Sequence, residues 1–264
     1  MKSIVLILAG GKGSRLGSPI EKQFITVNGH TILEHTLKKF SKFFSKKNIL
    51  IVLPYKEINK KNSIIYMRYT DHELISNGST RKESVKNAID QTVEKFGALH
   101  GLVNCAGIGS ASKTVSKNGA HLLDYFKLVI EINLVGTFNV LRLAAEAMGK
   151  NTPEKDNECG VIINTASVAA FDGEVGQVAY SASKGGVAAM TLPMARDLAQ
   201  VGIRVMAIAP GLFMTPMLAG LPTKTLEVLS TQPLFPNRLG TPQEYGDLVI
   251  FIIKAGYLNA EVIR

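Results

Sequence analysis

Tyr180 and Lys184 stand four residues apart in NTASVAAFDGEVGQVAYSASK (164–184), which places them one turn apart on one helix face. A lysine so placed can lower the pKa of the phenol by favouring phenolate, and a phenol so tuned can pass a proton to or from a carbinol oxygen. Ser167 lies ahead of the pair at a strand end, where its hydroxyl could hold the same oxygen. By itself the pair is weak evidence, since such spacing is more often an ordinary helix-surface contact. A second chemistry is written into LILAGGKGSRLGSP (6–19), where an apolar run breaks into a loop of glycine, lysine and arginine. Strand followed by tight glycine turn reads as a phosphate cradle. The phosphate belongs either to a nucleoside triphosphate or to a dinucleotide.

Both groups of residues need a sheet to position them. Periodicity predicts strands at 3–9, 48–53, 63–69, 101–105, 160–165 and 203–208, and helices at 30–44, 81–96, 121–149, 178–200 and 241–254. Alternating strands and helices imply right-handed crossovers and a mostly parallel sheet covered on both faces. Ligands then bind beyond the carboxyl ends of the strands. With 264 residues the chain can build a full core. The expectation is one α/β domain over 1–264, a single Rossmann-like three-layer α/β/α sandwich. NTPEKDNECG (151–160) is the most polar stretch and reads as a surface loop.

Composition narrows the partners. No apolar run approaches the roughly 18 residues of a membrane span, so no membrane partner is expected. The opening MKSIVLILAGG runs into the glycine loop rather than a small-residue cleavage site, so a leader is not expected. Cys105 and Cys159 make no disulfide framework and fit a reducing compartment, the cytoplasm. His30, His35, His72, His100 and His121 show no metal spacing, so no metal site is expected. The net charge of +9 sits wholly in residues 1–90, which hold 16 basic and 7 acidic residues; residues 91–264 hold 14 of each. Alanine shifts at the same place, with 2 before residue 91 and 21 after it. The basic run KKFSKFFSKKN (38–48) reads as a solvated face, and without a coherent basic surface no nucleic-acid partner is expected. A break this sharp inside one domain suggests two sequence origins, joined near residue 90.

The second part, 91–264, resembles the short-chain dehydrogenase/reductase family. The resemblance rests on LVNCAG (102–107), INLVGTFNV (132–140), the Ser167–Tyr180–Lys184 stretch and IAPGLFMTPM (208–217), and leans toward members acting on 3-hydroxyacyl-CoA. It implies a small-molecule hydroxyl or keto substrate and NAD or NADP as cofactor. Tyr180 would be the general acid/base, Lys184 would bind the nicotinamide ribose and tune Tyr180, and Ser167 would orient the substrate oxygen. Asn133 would hold the helix and a proton-relay water. Asn104, Ala106 and Gly107 would line the cofactor cleft, and Pro210, Gly211 and Thr215 would bracket the nicotinamide. Association through the central helices, as a homotetramer or homodimer, is also implied. The family continues past Val262-Ile263-Arg264 with a short glycine-containing tail, so the last strand is expected to lack its usual finish.

The first part, 1–90, answers the phosphate question differently. Laid on the dehydrogenase loop pattern, GGKGSRLG (10–17) matches at Gly11 and Gly17, but Arg15 stands where the middle glycine lets a pyrophosphate approach. The second strand ends in Pro54, Tyr55 and Lys56 where a ribose-binding Asp belongs. Residues 6–40 with NGSTRKESVKNAI (77–89) resemble instead the cytidylyltransferases that make CDP-methylerythritol or CDP-ribitol. That implies CTP with magnesium, with Gly11, Lys12, Gly13 and Arg15 around the triphosphate, Lys22 at the reacting phosphate, and Gly78, Thr80, Arg81 and Ser84 on the cytidine. Cationic positioning suits nucleotidyl transfer. However, Cys105 stands about where that family places its magnesium-binding Asp, and a neutral thiol is a poor ligand for a hard ion. Three readings follow: a dehydrogenase impaired by a foreign nucleotide-binding half, a cytidylyltransferase-like nucleotide binder, and a chimeric scaffold without turnover.

Overall fold

The computed structural model describes residues 5–8, 22–24, 26–27, 29–42, 45–46, 49–53, 67–69, 71–76, 81–109, 111–215, 218 and 222–264. The glycine loop, with Gly11, Lys12, Gly13, Arg15 and Gly17, lies outside them, as do Gly78 and Thr80. The chain divides into two compact units, Met1–Ala98 and Leu99–Arg264.

In the first unit, strand β1 (Val5–Leu8) precedes a small antiparallel pair, β2 (Thr26–Val27) and β3 (His30–Thr31). Helix α1 (Ile32–Phe40) follows at once. Thr31 caps it: its hydroxyl accepts from Glu34 N at 3.1 Å while Glu34 Oε2 accepts from Thr31 N at 2.6 Å. This reciprocal pair satisfies two backbone donors that the first turn leaves free. Strand β4 (Ile49–Leu53) pairs in parallel with β1 on one side and with β5 (Glu73–Ser76) on the other. Ile49, Ile51 and Leu53 are buried with Leu33, Leu37, Phe24 and Tyr69 in one core. Helix α2 (Arg81–Phe96) closes the unit and buries Val85, Ala88, Ile89 and Thr92. The compositional break near 90 therefore falls inside a single helix, eight residues before the end of the unit at Ala98.

The strand expected at 63–69 is corrected over 67–69, the residues of it that the structure describes. Met67 and Arg68 are helical, and the third strand is Glu73–Ser76. The reason is Tyr69, which the apolar run presents as one more strand residue. It is 1% exposed, stacks near Phe24 and bonds Thr31 Oγ1 through its hydroxyl at 2.6 Å. That anchor holds Tyr69 in the core, and the four residues ELIS make the ladder instead; residues 63–66 lie outside the described ones.

In the second unit, β6 (Gly101–Asn104) leads to a hairpin of β7 (Val115–Ser116) and β8 (Gly119–Ala120). Helix α3 (Leu123–Ile130) runs through one π-helical turn, Glu131–Val135, into α4 (Gly136–Met148). Then come β9 (Gly160–Thr165), α5 (Val178–Leu198), β10 (Ile203–Ile208), α6 (Thr223–Ser230), α7 (Pro242–Lys254) and β11 (Val262–Ile263). The sheet order is β11-β10-β9-β6, parallel throughout. Strand β10 is buried at all six positions and β9 at five of six, as central parallel strands covered on both faces must be. Gly202 turns the chain from the end of α5 into β10 at φ +67°, where a Cβ would lie 2.1 Å from the Asn157 carbonyl oxygen.

Among the described residues the ladders form a three-stranded parallel sheet in the first unit and a four-stranded one in the second. Alternation fixes the α/β class and the parallel sense of the strands. The path Leu123–Met148 is long and apolar enough, by length and composition, to cross a membrane. It nevertheless carries Lys127, Glu131, Asn133, Arg142 and Glu146, and buries Val129, Asn133, Leu141, Ala144 and Met148 inside the unit. It is a core helix.

Candidate active site

The site is built where β9 ends. Its last residues feed Ala166 and Ser167 into a short 3-10 turn, Val168–Ala170. Ser167 caps that turn with its hydroxyl, accepting from Ala169 N at 3.2 Å, and is 8% exposed. Helix α5 then brings Tyr180 back over the strand end, with the Ser167 hydroxyl in hydrogen-bond reach of the phenol. Lys184 follows one turn later at 4% exposure, its ammonium 5.9 Å from the Tyr180 ring centre. Lys184 Nζ donates to the Thr165 carbonyl at 2.6 Å.

Asn133 arrives from the π turn. It is fully buried, accepts from Ile108 N at 2.8 Å, and donates to Ile108 O and Ser183 Oγ, each at 3.0 Å. Ser183 Oγ in turn donates to the Tyr180 carbonyl at 2.7 Å. The asparagine thereby fastens the loop after β6 to the first turns of α5. An irregular helical turn is where a side chain can be re-aimed in this way. Gly107 lies against both groups: a Cβ there would sit 3.2 Å from Asn133 Oδ1 and 3.6 Å from Lys184 Nζ. Asn104 crosses to its ladder partner, Nδ2 donating to Asn164 Oδ1 at 2.9 Å. Pro210 O accepts from Val168 N at 3.1 Å, so it borders the Ser167 turn, and the space beside Gly211 is open. Thr215 Oγ1 accepts from Leu218 N at 3.4 Å. Ala106 is exposed in the loop after β6.

The electrostatics differ from the sequence expectation in one respect. Burial raises the Tyr180 phenol above its usual value, and the hydrogen bond from Ser167 offsets this only in part. Spacing along a helix reports the nearness of a lysine, not the loss of water around the phenol, and desolvation dominates here. Burial likewise lowers Lys184, to about 8, against an opposing pull from Cys105.

Two side chains that sequence reasoning passed over belong to the same cluster. Thr165 Oγ1 bonds the Tyr245 hydroxyl at 2.6 Å and lies 3.7 Å from Cys105 Sγ. Burial raises the Tyr245 phenol, which keeps its proton. Thr165 sits inside the quoted motif and could have been noticed. Tyr245 is 65 residues beyond Tyr180, and nothing local marks it. Of the front-half candidates, Lys22 opens a 3-10 turn, and Arg81 and Ser84 lie in the first turn of α2.

A parallel α/β sheet with Ser, Tyr and Lys gathered at a strand's carboxyl end defines a class: enzymes that transfer a hydride to or from a carbinol carbon and move the matching proton through a phenol. The short chain dehydrogenase family matches residues 56–225, and the chain belongs to that family. The 2-C-methyl-D-erythritol 4-phosphate cytidylyltransferase family matches residues 3–102, so the two matches overlap over 56–102. The chain joins a cytidylyltransferase-like front to a dehydrogenase-like back. A 3-hydroxyacyl-CoA dehydrogenase type-2 from Bos taurus is 58% identical over 187 residues, covering 70% of this chain and 72% of that protein. The Homo sapiens protein of the same name is 56% identical over 187 residues, with the same coverage. The crystal structure of 3-hydroxyacyl-CoA dehydrogenase type-2 from Mycobacterium avium superposes with a TM-score of 0.71 at 30% identity, covering 100% of this chain and 94% of that one. The fold is accordingly Rossmann-like.

Family membership implies a nicotinamide dinucleotide, and the residues at the nicotinamide end fit one. Gly107 lets backbone pass directly against Lys184, and the buried ammonium has spent one of its three donors on Thr165. Among the described residues, no group of three His, Cys, Asp or Glu side chains could hold a metal ion.

Proposed function

We propose that the chain moves a hydride between NAD or NADP and a hydroxyl or keto carbon, with 3-hydroxyacyl-CoA as the substrate class. The observation that carries this is the convergence of Ser167, Tyr180, Lys184 and Asn133 at the carboxyl end of β9. Relatives of 56–58% identity named for 3-hydroxyacyl-CoA support the substrate class. The dinucleotide, when bound, supplies the hydride acceptor or donor, and the protein's own side chains handle the proton. Tyr180, raised by burial, holds its proton at neutral pH and gives it to a carbonyl oxygen in the reducing direction. Oxidation needs the phenolate and is favoured as pH rises. Ser167 orients the same oxygen, Lys184 reaches for the ribose, and Asn133 holds the π turn and a relay water. Asn104, Ala106 and Gly107 line the cleft; Pro210, Gly211 and Thr215 bracket the nicotinamide. The protein works in the cytoplasm as a homotetramer or homodimer.

Dinucleotide affinity is the weak point, because Arg15 stands where the loop pattern calls for glycine. The match over 3–102 supports a second reading, a residual site for CTP, although Cys105 offers magnesium no hard oxygen. NADH fluorescence, titrated with CTP and magnesium as competitor, tests both. Saturable NADH binding, tightened by Arg15→Gly, supports the dehydrogenase. Tyr180→Phe should then keep NADH binding and lose about 10²–10⁴-fold in turnover. A cooperatively folded protein that binds no NADH rules the reading out.

A further inference from the structure

We propose that Thr165 and Tyr245 are positioning residues for Lys184: their paired hydroxyls fix the Thr165 carbonyl that receives the lysine ammonium, and so tie α7 to the reacting end of the site. The inference rests on the dehydrogenase reading given above. Its geometry is a cluster of hydroxyls and a thiol. Thr165 Oγ1 lies 3.7 Å from Cys105 Sγ and 2.6 Å from the Tyr245 hydroxyl, a pair in which either oxygen can donate. The threonine side chain is thus held from two sides. Its own carbonyl, one residue before the buried Ala166, takes Lys184 Nζ at 2.6 Å.

Tyr245 is a firm support because its helix turn is itself clamped. Thr241 and Glu244 form a capping box at the start of α7, and Arg238 holds the Glu244 carboxylate through both oxygens at 3.0 and 2.7 Å. The ring then packs against the core of Val161, Ile163, Met206, Ile208 and Ile252. Lys184 is faced by Cys105 from the end of β6, by Tyr180 on its own helix, by Asn133 across Gly107 and by the Thr165 carbonyl from β9. From α7, Tyr245 reaches it through Thr165. A carbonyl that accepts from an ammonium favours the charged form, so loosening that carbonyl lowers the pH at which the lysine loses its proton.

The test follows acylation of Lys184 by limiting acetic anhydride across pH, read by peptide mass spectrometry on the full-length protein without added cofactor. The wild-type midpoint is expected at about 8. In Tyr245→Phe and in Thr165→Val it should fall by about half a pH unit or more, while Thr165→Ser should track the wild type. A purely structural role would lower the melting temperature of Tyr245→Phe and leave the midpoint in place, which overturns the proposal. Should Tyr245→Phe fail to fold, the Thr165→Val and Thr165→Ser pair reads the same carbonyl. Absence of 3-hydroxyacyl-CoA oxidation by the wild type would remove the dehydrogenase reading alone, because the labelling midpoints need no turnover. With turnover, the alkaline limb of the kcat/KM profile in Tyr245→Phe shifts in the same direction as the label.

Discussion

A charged lysine at 4% exposure is an expense the fold carries for its site. Lys184 titrates at about 8 instead of 10.5, so between those values the unfolded chain binds a proton that the folded one does not. Stability therefore rises with pH across that window, and below about 8 the whole penalty is present. That drop in pKa corresponds to about 3 kcal/mol. Lys184→Met, which keeps the length and drops the charge, should be more stable than the wild type by about 2–3 kcal/mol at pH 7. That excess should shrink as pH climbs from 8 toward 10.5. Urea denaturation of both proteins at a series of pH values checks it, and an excess that does not change with pH would refute the account. Tyr180 carries no such cost at neutral pH, because its buried phenol is raised and stays neutral in both folded and unfolded chains. Lys184 answers to the reaction ahead of stability, as functional sites often do.

At the scale of elements, Arg204 on β10 fastens the far end of α7 to the sheet, as Tyr245 does its first turn. Its guanidinium meets Glu158 through two nitrogens at 2.9 and 3.0 Å, and its remaining donors cap the end of α7 at the carbonyls of Ile252 and Ile253 and hold that of Leu258 in the turn beyond, between 2.9 and 3.2 Å. A cation at a helix C-terminus also meets the favourable end of the helix dipole. Arg204→Ala leaves a partly buried carboxylate and three carbonyls without their donor, and should cost about 3–5 kcal/mol in chemical denaturation. Glu158→Gln should cost clearly less, because the helix end keeps its cap. If the two variants cost the same, the ion pair rather than the cap is what matters. None of this clamp was legible in the sequence, since Glu158, Arg204 and Leu258 are brought together only by the fold. What was legible is what repeats locally. The helix at 81–96 and the strands at 160–165 and 203–208 match the structure residue for residue, because unbroken apolar runs and helical stripes carry their own boundaries. Ser167, Tyr180 and Lys184 were legible because one strand end and one helix hold all three. The strand at 73–76, the hairpin at 115–120 and the helix at 223–230 were not, being short and polar at their edges. Tyr245 was not, because only tertiary packing aims it at Thr165.

At the scale of the molecule, the second unit presents apolar surface that its own fold leaves uncovered. Val135 and Phe138 on the α3–α4 path are 43% and 47% exposed, and Leu192 on α5 is 43% exposed. Phe138, Leu141, Met194, Leu198 and Val201 line a groove of about 430 Å³ between the ends of α4 and α5. Arg142, Glu146, Lys150 and Asp197 lie at the same groove, two cations and two anions. An apolar centre with charges of both signs beside it suits a face that meets a second copy of itself, each cation opposite an anion. All of these residues lie in the dehydrogenase-like back of the chain, so association should survive whatever the foreign front does to dinucleotide binding. The wild type should sediment as a dimer or tetramer, and Phe138→Glu should shift it to monomer while leaving far-UV circular dichroism unchanged. Association stabilises by mass action, so the wild-type melting temperature should rise with protein concentration and that of Phe138→Glu should not. A wild type that sediments as a monomer at every concentration would show that this surface is simply solvated, and that the chain works one copy at a time.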